Sequence, residues 1–194
     1  FDKLLVSVGR RAVTDGLGLE TVGVELQRGA IVVDEHLETS VPGIYAVGDV
    51  NGVSMLAHTA AREGQVAVHH ITDYPDAMNY RAIPGIVYTD PEIASVGQTE
   101  QELRTAGVDY QVHRVPMSLS GRFVIENEQG NGFCKLLTDS EGVILGAHML
   151  GNGSSEILVP AIMAVEQRMT LAELARIVFP HPTVSEIIRV AALS

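Results

Sequence analysis

The order of its periodic segments limits the fold of this chain more than any other feature. Beyond residue 76, strand-like runs come first and helix-like runs come last, without alternation. The strand readings are Ile86-Val87-Tyr88, Ile93-Ala94-Ser95-Val96, Tyr110 to Val115, Gly132 to Thr138 and Val143 to Leu150. The last two flank Asp139-Ser140-Glu141-Gly142, a good hairpin connection. A short helix is predicted over 99–106, and three more over 154–168, 170–178 and 183–192. Strands and helices segregated in this way predict an α+β domain built on an antiparallel sheet.

The earlier part has a different texture. Residues 3–8 read as a buried strand (Leu4, Leu5, Val6, Val8) stopped by Gly9, and Ala30 to Asp34 as a second strand. Val41-Pro42-Gly43 turns into a third, Ile44 to Val47, which ends at Gly48-Asp49. Residues 55–71 carry apolar groups at Leu56, Ala60, Val66 and Ile71, which suits a buried helix. Strand, Gly-Asp, short loop and helix make an α/β arrangement, and ligands in such folds sit at the carboxyl ends of strands. The boundary between the two textures falls at Asp73-Tyr74-Pro75-Asp76. Because Phe1 lies inside a strand pattern, we expect this chain to be the C-terminal piece of a longer protein.

Composition narrows the partners. With 13 basic and 24 acidic residues the net charge is −11, and no Lys/Arg cluster stands out. Nucleic acid and anionic membrane surfaces are therefore not expected partners. No apolar run approaches the ~20 residues of a membrane span. Cys134 is the one cysteine; a single thiol forms no internal disulfide and argues against a disulfide-built secreted scaffold. A cytoplasmic enzyme fits these features.

His181-Pro182-Thr183-Val184-Ser185-Glu186 is the most informative stretch. Pro182 keeps His181 out of helical geometry just before a helix begins. A Glu five residues later can turn back and hydrogen-bond one ring nitrogen, which fixes the tautomer and raises the basicity of the other. That is the equipment of a general acid/base. Thr183-x-x-Glu186 equally fits a capping box, as does Thr170-x-x-Glu173. Spacing alone does not decide between them.

Gly48-Asp49 is the second candidate. A carboxylate at the end of a strand, after a glycine that permits close approach, suits a pair of sugar-type hydroxyls; a turn or cap Asp is the plainer reading. His69 and His70 are helix neighbours that point different ways, His58 starts the same helix, and His148 and Met149 sit in a strand. No metal site is expected from them. Gly151-Asn152-Gly153 lacks the third glycine of a dinucleotide fingerprint and reads as a strand-to-helix turn. Cys134 alternates with apolar neighbours and reads as an inert buried thiol.

Four stretches in order resemble motifs of the pyridine nucleotide–disulfide oxidoreductases, and within them the dihydrolipoamide dehydrogenase branch. Val8-Gly9-Arg10-Arg11 is similar to the closing motif of the family's NAD-binding domain, and Ile44 to Val50 to its second flavin-binding signature. Met55-Leu56-Ala57-His58 follows at the family's interval, and Phe179 to Glu186 resembles its C-terminal active-site motif. Gly146 to Gly151, Glu156-Ile157-Leu158, Glu166 and the Arg189-Val190-Ala191-Ala192 tail lean toward the lipoamide branch; glutathione-type reductases share the His-Pro-Thr-x-x-Glu tail and are the alternative.

The resemblance implies three regions: residues 1–11 closing an NAD-binding domain, 12–76 the C-terminal part of an FAD-binding domain, and 77–194 an interface domain. It implies that Asp49 binds ribityl hydroxyls of FAD, that Met55, Leu56, Ala57 and His58 approach the isoalloxazine, and that Gly9 lies against NAD. His181 becomes the acid/base with Glu186 as its orienter, acting across a homodimer formed through 77–194. A lipoyl-bearing protein of a 2-oxo acid dehydrogenase-type complex becomes the partner. The family's Cys-x-x-x-x-Cys pair and its two dinucleotide fingerprints are not in this sequence, so the chain alone is expected to be inactive and to retain no cofactor; a non-catalytic dimerisation module is the competing reading.

Overall fold

In the computed structural model, which describes residues 1–128 and 130–194, the chain divides between Asn79 and Tyr80 into two units. The first holds a short helix α1 (Leu19–Val22), a two-residue hairpin of β1 (Leu26–Gln27) and β2 (Ala30–Ile31), a 3₁₀ turn over Gly48–Asn51, and α2 (Ala57–Ile71). Val24, Ile31 and Ala46 form its small core, with Leu19, Val33, Val41, Ile44 and Val50 packed around them. Helix α2 buries Thr59, Glu63, Val66 and Ala67, the i, i+4, i+7, i+8 stripe of an amphipathic helix.

Three expectations for this unit are corrected. Residues 1–14 carry no regular structure, and Leu4, Leu5 and Val8 are 89%, 90% and 93% exposed. The apolar run is there, but a strand needs a ladder neighbour for its backbone groups, and none pairs with it among the described residues. The second strand shrinks to Ala30–Ile31 plus a bridge at Val33, and Ile44–Val47 contributes a single bridge at Tyr45.

The second unit is the α+β domain expected from segregated strands and helices. Strands β3 (Gly85–Val87), β4 (Ile93–Gly97), β5 (Gln111–Pro116), β6 (Phe133–Thr138) and β7 (Ile144–Leu150) form one antiparallel sheet in the order β3-β4-β7-β6-β5. Period-2 alternation selects its buried face. Val115, Cys134, Met149 and Ala94 lie in register across four strands, and Leu136, Ala147 and Val96 form the next row; all seven are buried. Crowding at one corner demands glycine, because a Cβ at Gly146 would stand 2.2 Å from the backbone oxygen of Gln98.

Helix α3 (Glu100–Ala106) lies between β4 and β5, and α4 (Gly121–Glu126), which the sequence reading missed, lies between β5 and β6. The pattern expected over 154–168 is two helices, α5 (Ser154–Ile157) and α6 (Val159–Glu166), with Pro160 in the first turn of α6, where its missing N–H costs nothing. Helix α7 (Leu171–Arg176) and α8 (Glu186–Ala192) finish the chain. Helix α6 packs on β4 and β7, and α8 on β5 and β6. Both α3 and α7 open with complete capping boxes, Thr99 with Glu102 and Thr170 with Glu173.

Candidate functional site

The chain leaves α7 at Ile177, whose extended backbone ends the helix, and crosses Phe179-Pro180-His181-Pro182 before α8 begins at Glu186. The His181-Pro182 peptide is cis. The loop is tied down on both sides. Ser120 Oγ donates to Thr183 O at 3.1 Å, and Thr183 Oγ1 donates to Pro180 O at 2.7 Å. On the far side Ile187, Ile188, Ala191 and Ala192 sink α8 into the core, so Glu186 stands on a fixed first turn.

Glu186 turns back over this loop. Its two carboxylate oxygens lie 3.0 and 3.1 Å from His181 Nδ1, and its Oε2 accepts the Thr183 N–H at 2.9 Å. The Thr183 N–H first, then the His181 bond and the nearby charges of His181 and Arg189, hold the Glu186 carboxyl below the usual carboxylate range. Half of the expected capping box is present, because the Thr183 hydroxyl bonds Pro180 and Ser185 and leaves the Glu186 amide alone. Glu186 thus caps the loop and orients the imidazole at once. The His181 side chain is 81% exposed while Glu186 is 27% exposed. This arrangement presents a ring whose Nε2 has no partner among the described residues.

The other expected residues lie in the first unit. Gly48 takes φ +77°, opening the 3₁₀ turn that carries Asp49, and Asp49 forms an ion pair with Arg10 Nη2. Arg10 Nη1 also donates to Met55 O at 3.2 Å, so one arginine links the Asp49 turn to the Met55-Leu56-Ala57-His58 stretch. Leu56 is the N-cap of α2 and supplies no side-chain cap, and the first turn of the helix begins at Ala57. Gly9, at φ +110°, sits in the segment without regular structure.

Two features escaped the sequence reading. Asp76 holds Arg62 through both oxygens at 2.6 and 2.7 Å and His69 Nδ1 at 2.7 Å, so this acid, placed at the domain boundary by its neighbours, anchors the end of α2. The Arg62 bonds, then the His69 bond, pull its carboxyl far below the usual range. Glu63 is fully buried and bonds the Asp49 turn; a charged residue on the buried stripe of α2 was the available signal. His70 pairs with Tyr45 OH at 3.2 Å and stacks on His36. Among the described residues, no group of three or more His, Cys, Asp or Glu is placed to hold a metal ion, and no helix is long and apolar enough to cross a membrane. Gly151-Asn152-Gly153 is the turn from β7 into α5, as read from the sequence, and Cys134 is fully buried.

Comparison with known proteins now bears on the whole chain. Residues 83–192 match the "pyridine nucleotide-disulphide oxidoreductase, dimerisation domain" and residues 1–64 match "pyridine nucleotide-disulphide oxidoreductase". The dihydrolipoyl dehydrogenase of Geobacillus stearothermophilus is 42% identical over 193 residues, covering 98% of this chain and 41% of the relative. The mitochondrial dihydrolipoyl dehydrogenase of Caenorhabditis elegans is 42% identical over 195 residues, covering 100% of this chain and 39% of the relative. Among solved structures, LpdA from Mycobacterium tuberculosis superposes with TM-score 0.89 at 34% identity, over 96% of this chain and 41% of that one. The HOCl-induced flavoprotein disulfide reductase RclA from Escherichia coli gives TM-score 0.86 at 28% identity, over 99% and 45%. This chain therefore spans about two fifths of the length of the curated relatives it matches. Since the dimerisation match alone takes in more than half of the residues, the chain belongs to the pyridine nucleotide–disulphide oxidoreductase family.

Proposed function

We propose that this chain is the C-terminal part of a dihydrolipoyl dehydrogenase, supplying the acid/base pair His181–Glu186, the closing wall of a flavin site and the homodimer interface. The observation that carries the reading is the hydrogen bond from His181 Nδ1 to both oxygens of Glu186, in a chain 42% identical to dihydrolipoyl dehydrogenases over nearly all its length.

Pairing Nδ1 with a carboxylate keeps the ring proton there and leaves Nε2 as the proton acceptor. A dithiol substrate has thiol pKa values of ~8.5, and only its thiolate attacks a disulfide, so a base at the substrate sulfur supplies what neutral pH does not. His181 Nε2 takes that proton while Glu186 stabilises the imidazolium. In this reading the pair serves the redox disulfide of the partner subunit across the two-fold axis, and residues 77–194 build that axis. The electron donor in this disulfide chemistry is a dihydrolipoyl group borne on a protein, and the compartment is the cytoplasm.

The residues of the first unit suit FAD. The exposed Asp49 carboxylate can accept from ribityl hydroxyls, and the uncapped first turn of α2 offers N–H groups and the positive end of the helix dipole to the polar edge of the ring. When bound, FAD supplies the two-electron acceptor between the dithiol and NAD; Gly9 is the position we assign beside NAD. Residues 1–11 and 12–76 are then the closing parts of the NAD and FAD domains.

His181→Ala in the longer protein carrying this chain tests the reading. It should keep its flavin absorbance and lose about 10²–10⁴-fold in dihydrolipoamide oxidation, the usual contribution of a general base. Unchanged turnover would remove His181 from the mechanism.

A further inference from the structure

Resting on that functional reading, we infer that Glu63 is a positioning residue for the flavin-binding turn, locking the segment that presents Asp49. Its side chain comes from the middle of α2, and it is fully buried. Oε2 of Glu63 accepts the backbone N–H of Gly48 at 2.5 Å and Nδ2 of Asn51 at 3.0 Å. These are the first and last residues of the 3₁₀ turn Gly48–Asn51, so one oxygen closes the turn from both ends. Asn51, itself 5% exposed, passes the constraint on, because its Oδ1 accepts the Val53 N–H at 3.0 Å.

Helix and turn touch directly. A Cβ on Gly48 would stand 3.1 Å from the Ala60 side chain, one helical turn from Glu63, and φ at Gly48 is +77°. A turn pressed against the helix can be held by a short polar reach, and Glu63 provides it. An apolar residue at 63 would leave the Gly48 N–H and the Asn51 amide without this acceptor in a dry site, and such turns rearrange to recover their bonds. Asp49 follows Gly48 immediately, so its carboxylate position depends on this lock. Glu63 touches no ligand and acts through Asp49.

The test is the dissociation constant for FAD, measured by flavin fluorescence on reconstituting the apoprotein of the longer protein carrying this chain. Glu63→Ala should weaken FAD binding by about tenfold or more, the scale of one lost buried hydrogen bond. Glu63→Gln keeps a carbonyl oxygen at the same place and should stay within about threefold of wild type. Val66→Ala, on the same buried stripe, controls for general loosening of α2 and should also stay within about threefold. Glu63→Ala binding FAD like wild type, or Val66→Ala weakening it as much, would overturn the inference. If Glu63→Ala does not fold, Asn51→Ala decides, with weakening of about threefold or more expected and unchanged binding overturning the inference. A wild-type apoprotein that takes up no FAD would instead overturn the functional reading beneath it.

Discussion

Helix α8 ties the His181–Glu186 loop to the core, and Ile188→Ala measures that attachment. Ile188 is fully buried where α8 packs on β5 and β6, two residues after Glu186. The change removes Cγ1, Cγ2 and Cδ1, at about 0.8 kcal/mol each. An unrelaxed void of roughly 50 Å³ adds about 1 kcal/mol, so the cost should be about 3.5 kcal/mol. Amide hydrogen exchange of β6 and β7 reads this directly. A loss of about 3.5 kcal/mol corresponds to roughly 300-fold faster exchange of the most protected amides. Val87→Ala, in β3 and 50% exposed, should change the same amides by no more than about twofold. If Ile188→Ala accelerates exchange by less than about fivefold, α8 is not docked as described, and the fixed platform for Glu186 falls with it.

Three further outcomes follow from local chemistry. Burial pushes the Cys134 thiol up to about 12, so a neutral alkylating reagent should label it only as fast as the sheet unfolds; prompt labelling of the native chain contradicts the burial. Glu100 is held down at about 2, first by the Lys135 hydrogen bond and then by Arg104. A carboxyl depressed by folding stabilises fully above its ordinary value of 4.5 and loses that stabilisation as pH falls toward about 2. Urea midpoints should therefore drop less steeply over that window in Lys135→Met than in wild type, and equal slopes would refute the pairing. Gly146→Ala drives a Cβ to 2.2 Å from Gln98 O and should cost about 1–3 kcal/mol in thermal unfolding. Gly64→Ala, inside α2 with open space at its Cβ, should gain about 0.5–1 kcal/mol; similar values for the two would show that the close approach is not there.

The second unit was legible because its signals are local and mutually consistent. Period-2 alternation in β6 and β7 put Cys134, Leu136, Ala147 and Met149 on one face, and the same residues fill the core. The Thr170/Glu173 pair marks the start of α7, and the structure adds a second complete box, Thr99 with Glu102, at the start of the helix read over 99–106. Helix α4 stayed hidden because its six residues show too little period to read, and its start depends on Ser120 Oγ accepting from Phe123 N–H. The first unit was read less well for the opposite reason. Leu4, Leu5 and Val8 carry the strand pattern, but a strand is a property of a pair, and sequence reports only one member.

At the candidate site, sequence singled out His181 and Glu186, which the structure brings into hydrogen-bond contact, and could not choose between the two uses of Glu186. Thr183 and Glu186 have the same spacing as Thr99/Glu102 and Thr170/Glu173, so any reading by spacing must treat the three alike. The difference lies in where each hydroxyl goes. At α3 and α7 the Thr hydroxyl accepts from the Glu N–H, whereas at 183 it bonds Pro180 O and Ser185, and the helix starts only at 186. Freed from a full box, Glu186 spends its carboxylate on the Thr183 N–H and the His181 ring together. Capping and orientation are therefore one arrangement here: the backbone bond that fixes the loop also depresses the Glu186 carboxyl, and a carboxylate kept ionised is what an imidazolium next to it requires.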